Sequence, residues 1–169
     1  MELMRITINS IIQCPQLHRK SDPIMNLFAV ELEKPTDGWL QCKLFDDNSV
    51  IEFCASHTPR DTFDDLVRSV RALYEFESPQ LVEIYEEPEV WQLSLEKEQD
   101  YLVIELLDNT GKLDRKLKCN FQSGCKEFAA KFELLLQEMG VDEFTSAWGH
   151  APPIEQIDAL RRLLLRSYE

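Results

Sequence analysis

Cys125 follows Ser123-Gly124 at what reads as the first turn of a helix, a position where the helix dipole favours thiolate. Lys126 adds a positive charge beside it. A cysteine there is a candidate hydrolase nucleophile, and such chemistry also requires a histidine within hydrogen-bond reach. His18, His57 and His150 are the histidines of the chain, and none stands in a family-specific context. The plainer reading makes Cys125 a small, half-buried residue at a helix start. Cys54 and His57 are separated by two residues, a ligand spacing found in zinc sites, but a structural site needs about four ligands in recognisable pairs. Cys119 and Cys125 are six positions apart with no neighbouring histidine. Cys54 is therefore expected in a strand and His57 in the loop after it, with neither metal nor cofactor bound. The isolated glycines, Gly38, Gly111, Gly124, Gly140 and Gly149, form no phosphate-cradling or dinucleotide fingerprint.

Carboxylates are the most plentiful reactive groups. Glu83, Tyr85 and Glu87 would share one face of a strand and Glu86 the other. General acid/base catalysis by such groups needs a defined pocket and pKa values driven apart. Without one, a corner such as Glu86-Glu87-Pro88-Glu89 is a solvated turn.

The elements that position these residues follow from apolar spacing. Short strands separated by polar turns are expected over residues 4–13, 27–33, 39–45 and 50–55, with a loop over 18–23. Asp46-Asp47-Asn48-Ser49 is the clearest turn, because its side chains bond their own backbone. A helix opens with Thr62-Phe63-Asp64-Asp65, where Thr62 offers a hydroxyl cap and the acids meet the positive end of the dipole. Phe63, Leu66, Val67, Val70, Leu73 and Tyr74 then recur at helical spacing as one buried stripe. Strands resume at 80–86, 90–96, 101–107 and 115–121, with Trp91, Leu93 and Leu95 on a common face. Ser123 caps the next helix, which carries Phe128, Phe132, Leu135, Leu136 and Met139, and Gly140 provides its stop. Pro152 and Pro153 begin the last helix, with Ile154, Ile157, Leu160 and Leu164 as its stripe. The expectation is one α+β domain over residues 1–169: a mainly antiparallel, strand-rich part over 1–121 with a helix at 62–75, and a helical block over 122–169 packed on one face.

Charge narrows the partners. Of 31 acidic residues, ten lie between Glu77 and Asp108, where Lys97 is the one basic side chain, and the whole chain carries −13. That field repels phosphate backbones and anionic headgroups, so neither nucleic acid nor membrane is an expected partner. No apolar run approaches the roughly 20 residues of a membrane span. The first residues lack the pattern of a secretory signal, and five scattered cysteines fit a reducing compartment. A cytoplasmic monomer or weak homodimer is expected.

The segment Glu83-Ile84-Tyr85-Glu86-Glu87-Pro88-Glu89-Val90-Trp91 combines carboxylates with two aromatic residue types that anchor interfaces. Glu83, Tyr85, Glu86, Glu87, Glu89 and Trp91 are the candidate partner-binding residues, unless Trp91 belongs to the core. Together with the strand opening Gly38-Trp39-Leu40, the helix that begins at Thr62, and Trp91-Gln92-Leu93, this layout resembles the small acidic cytoplasmic immunity proteins of bacterial polymorphic-toxin and contact-dependent-inhibition systems. The resemblance spans residues 38–107 and implies a non-enzymatic protein that neutralises a basic toxin domain, such as a nuclease, by covering its positive surface. It carries over no active site. The alternatives are a regulatory or structural subunit docking through the C-terminal helices, and a cysteine-dependent enzyme using Cys125.

Overall fold

A computed structural model describes residues 27–166 apart from Glu77 and Glu87. The strand expected over 4–13, the loop over 18–23, and the candidate Glu87 lie outside the described residues.

Alternation of apolar and polar side chains produces two antiparallel meanders. In the first, β1 (Ala29–Leu32), β2 (Trp39–Phe45) and β3 (Val50–Ser56) pair in that order. Leu40, Cys42 and Leu44 on β2, and Ile51, Phe53 and Ala55 on β3, are buried on one face. Trp39, Gln41, Val50 and Glu52 are exposed on the other. The turn into β2 is Thr36-Asp37-Gly38-Trp39, closed by reciprocal backbone bonds between Thr36 and Trp39. Its central residues both have positive φ, 51° at Asp37 and 81° at Gly38, and Asp-Gly is the pair that tolerates this conformation in a two-residue hairpin. The turn into β3 forms as its side chains dictate, with Asp46 Oδ1 accepting from the backbone N–H groups of Asn48 and Ser49.

After β3 the chain leaves the sheet through α1 (Thr62–Ala72). It returns in the second meander, β4 (Gln80–Glu86), β5 (Glu89–Glu98), β6 (Tyr101–Leu107) and β7 (Leu113–Asn120). The expected antiparallel sheet is thus divided in two at α1. α2 (Phe121–Met139), α3 (Val141–Trp148) and α4 (Ile154–Arg166) complete the α+β fold.

Two helix starts differ from expectation by a few residues. Asp61, not Thr62, caps α1, accepting from Asp64 N at 3.0 Å. Thr62 is buried, and its hydroxyl donates to the Glu83 carbonyl. Asn120, not Ser123, caps α2, and Ser123 N is the donor it receives. In each case an Asx residue, one or three positions upstream of the hydroxyl, presents a side-chain oxygen that is a strong acceptor for the free helix-start N–H groups.

The core is contiguous between the sheets and the helices. Phe63 of α1 meets Phe132 of α2 at 5.5 Å between ring centroids, and Phe144 and Trp148 of α3 at 5.3 and 6.3 Å. Burying each such ring contributes about 1.5–3 kcal/mol, so this cluster locks three helices together. Ile157, Leu160 and Leu164 of α4 are also buried, where α4 packs on α1 and α2.

Candidate functional site

The acidic hairpin is β4 joined to β5, with Glu83 opposite Gln92, Ile84 opposite Trp91, Tyr85 opposite Val90 and Glu86 opposite Glu89. Alternation separates the candidate residues. Glu83 and Tyr85 belong to the open face, opposite to buried Val82 and Ile84. The Tyr85 hydroxyl donates to Glu83 Oε2 at 2.6 Å, and Arg60 Nη1 stands 3.7 Å from the same oxygen. That hydrogen bond, more than any charge nearby, raises the Tyr85 phenol above its ordinary range. Trp91 is half-buried and packs against the core. Glu89 is exposed. Glu86 is committed elsewhere: its Oε1 accepts from the backbone N–H of Cys54 on β3 at 2.6 Å. Glu86 therefore bonds one meander to the other across the gap between them.

The open face of the first meander is acidic as well. Glu31, Lys43 and Glu52 are cross-strand neighbours, with Lys43 Nζ 3.3 Å from Glu52 Oε1. Glu31, Glu33, Gln41, Cys42, Lys43 and Glu52 line a shallow depression of about 370 Å³. Burial, then the charges of Glu86 and Glu33, raises the Cys54 thiol on this side. Glu31, Glu33 and Glu52 thus gather carboxylates from β1, the residue just after it and β3 around one depression, while Glu83 is held with Arg60 and Tyr85 on the open face of β4. Sequence reading missed the first three because acids scattered along the chain leave no local signal, whereas those near Glu86 are adjacent in number. An open carboxylate surface with a few cations embedded in it is suited to bind positively charged groups and to steer them by charge.

No family model, curated protein or solved structure matches this chain. The chemistry of individual residues is therefore the guide to function.

Cys125 is fully buried. Burial pushes its thiol up to about 12, outweighing the opposite effect of the neighbouring Tyr74 hydroxyl. Burial thus disfavours the thiolate that nucleophilic attack requires. No group of three His, Cys, Asp or Glu suited to a metal occurs among the described residues. His57 packs between two glycines, beside His150. No helix among the described residues is long and apolar enough to cross a membrane.

Proposed function

We propose that this protein is a non-enzymatic binding protein that receives a basic partner on the open, acidic face of its two sheets, in the role of an immunity protein neutralising a toxin domain. The supporting observation is the clustering of Glu31, Glu33 and Glu52 about one depression, with Lys43 as the cation paired there, together with Glu83 on the hairpin, paired to Arg60. Glu89 adds an exposed carboxylate at the hairpin turn, paired with Glu86 and so on the other face from Glu83. Tyr85, half-exposed and tied to Glu83, supplies the aromatic contact, while Trp91 supports the strand from behind. A basic nuclease cleft is the partner surface that such a face would cover, and its association would be fast and salt-sensitive.

The subunit reading has less support. Its docking strip was to be Ile154, Ile157, Leu160 and Leu164, and three of these are buried in the core. Burial of Cys125 counts against the cysteine-enzyme reading.

The test is a pull-down from native extract with wild type and with the Glu31→Lys/Glu52→Lys/Glu89→Lys variant, at low and moderate salt. All three positions are exposed, so the variant should fold, which circular dichroism checks. Salt-sensitive recovery of one basic protein by wild type, with association at least about tenfold slower for the variant, supports the proposal. Recovery of the same proteins by both forms removes this face from consideration.

A further inference from the structure

Three segments meet at one corner of the molecule: the Asp37-Gly38 turn, the residues after β3, and the C-terminal end of α3. Gly38 N donates to the Ala147 carbonyl at 2.8 Å, and His57 N donates to the Gly38 carbonyl at 3.2 Å. The His57 ring occupies the slot between them. A Cβ added to Gly38 would stand 2.1 Å from Nδ1, and one added to Gly149 would stand 3.0 Å from Cδ2 and 3.3 Å from Nε2. Both glycines also have positive φ, 81° and 97°, so a side chain at either position would be strained as well as crowded.

The slot fixes the tautomer. Nδ1 lies 3.2 Å from the Gly38 carbonyl oxygen, which can only accept, so in the neutral ring the proton sits on Nδ1 and Nε2 is the nitrogen left to coordinate. A histidine whose one nitrogen is anchored to a backbone carbonyl has the arrangement that orients imidazoles as metal ligands. Gly149 packs over the ring face near Cδ2, and the next residue, His150, places its ring centroid 5.7 Å from that of His57.

We propose that His57 and His150 form a two-imidazole chelate for a divalent transition-metal ion such as Zn(II), Ni(II) or Cu(II). A ligating nitrogen about 2.0–2.1 Å from the metal puts its ring centre about 3.2 Å away, so two rings at a tetrahedral angle stand about 5.2 Å apart. The observed separation is wider by about 0.5 Å, an adjustment within reach of His150, which is exposed. His57 has an evident structural role as well, since it lies edge-on to the Trp148 indole at 6.0 Å. That role accounts for the slot and the Nδ1 bond but not for a second imidazole beside the same ring. Among the described residues no third side chain completes the set, so water fills the remaining positions and the affinity is modest. Imidazole donors place Cu(II) above Ni(II) and Zn(II), while Mg(II) and Ca(II), which take oxygen ligands, are excluded.

The full-length chain, titrated calorimetrically with Zn(II) and then Ni(II), should bind one equivalent of either. His150→Ala should weaken that binding at least about tenfold with an unchanged melting temperature in chelator, and His18→Ala should leave it unaltered. With Cu(II), electron paramagnetic resonance should show two coordinating nitrogens in wild type and one fewer in His150→Ala. Equal binding by wild type and His150→Ala, or no binding by wild type, overturns the proposal. His57→Gln tests the other ligand where its fold survives. None of these outcomes depends on the acidic face having a partner.

Discussion

The hydrogen bond from Cys54 N to Glu86 Oε1 shows how one carboxylate can be structural in a region full of solvated ones. β3 is paired on its other side with β2, and the chain has left through α1 before β4 begins. The Cys54 N–H therefore has Glu86 as its partner. Removing that acceptor from a part-buried donor costs about 1–3 kcal/mol. Glu86→Ala is expected to lower the unfolding free energy by about that amount, and Glu86→Gln, which keeps an acceptor oxygen, by about half as much or less. Glu89→Ala, at an exposed position across the same turn, should change it by less than about 0.5 kcal/mol. Urea denaturation of the three variants checks this, and equal effects at Glu86 and Glu89 would refute the bridging role. The sequence shows two acids flanking a turn and has no means of telling them apart, because the partner of Glu86 lies on a strand 32 positions away.

Asp61 does at the level of elements what Glu86 does at the level of residues. Its Oδ1 caps α1 by accepting from Asp64 N and also accepts from the Trp148 indole Nε1 at 3.1 Å, so one atom begins one helix and fastens the end of another. Loss of the cap costs about 1 kcal/mol, and an indole N–H left unpaired beside a buried ring costs about 1–3 kcal/mol more. Asp61→Ala is accordingly expected to destabilise by about 2–4 kcal/mol, with Asp61→Asn restoring most of it. A red-shift of Trp148 fluorescence at denaturant concentrations below the main transition would show α3 detaching first. A loss no larger than that of an isolated cap would mean the indole bond contributes nothing. The strands and helices themselves were legible, because the periods of 2.0 and 3.6 dominate the pattern: β2, β4 and β6 have the expected limits. What escaped was set by contacts between elements. Asp61 and Thr62 are both good cap residues, and the choice between them is made by Trp148 and the Glu83 carbonyl. The division of the sheet at α1 and the pairing of His57 with His150 likewise depend on segments far apart in the chain.

For the molecule as a whole, the buried thiols couple stability to alkaline pH. Cys119 and Cys125 lie under the β7–α2 corner, so close that a Cβ on Gly124 would stand 2.7 Å from Cys119 Sγ. Both are almost inaccessible, and burial pushes each thiol from 9.0 up to about 12. In the unfolded chain these thiols ionise around pH 9, whereas in the folded protein they keep their protons to about pH 12. Above pH 9 the unfolded state therefore binds fewer protons, and stability falls as pH rises; below about pH 8 both states are protonated and the thiols add no slope. At pH 10 the difference is on the order of 1–2 kcal/mol for each thiol, a few kcal/mol for the pair. Burial raises Cys42 in the same direction. Guanidinium unfolding under reducing conditions at pH 8 and pH 10 measures the total loss. Cys119→Ala/Cys125→Ala is expected to be less stable than wild type at pH 8 because of the space left in the core, yet to lose a few kcal/mol less between the two pH values. If variant and wild type lose equal stability, the thiols ionise as readily folded as unfolded, and the account of Cys125 as an inert core residue fails with them.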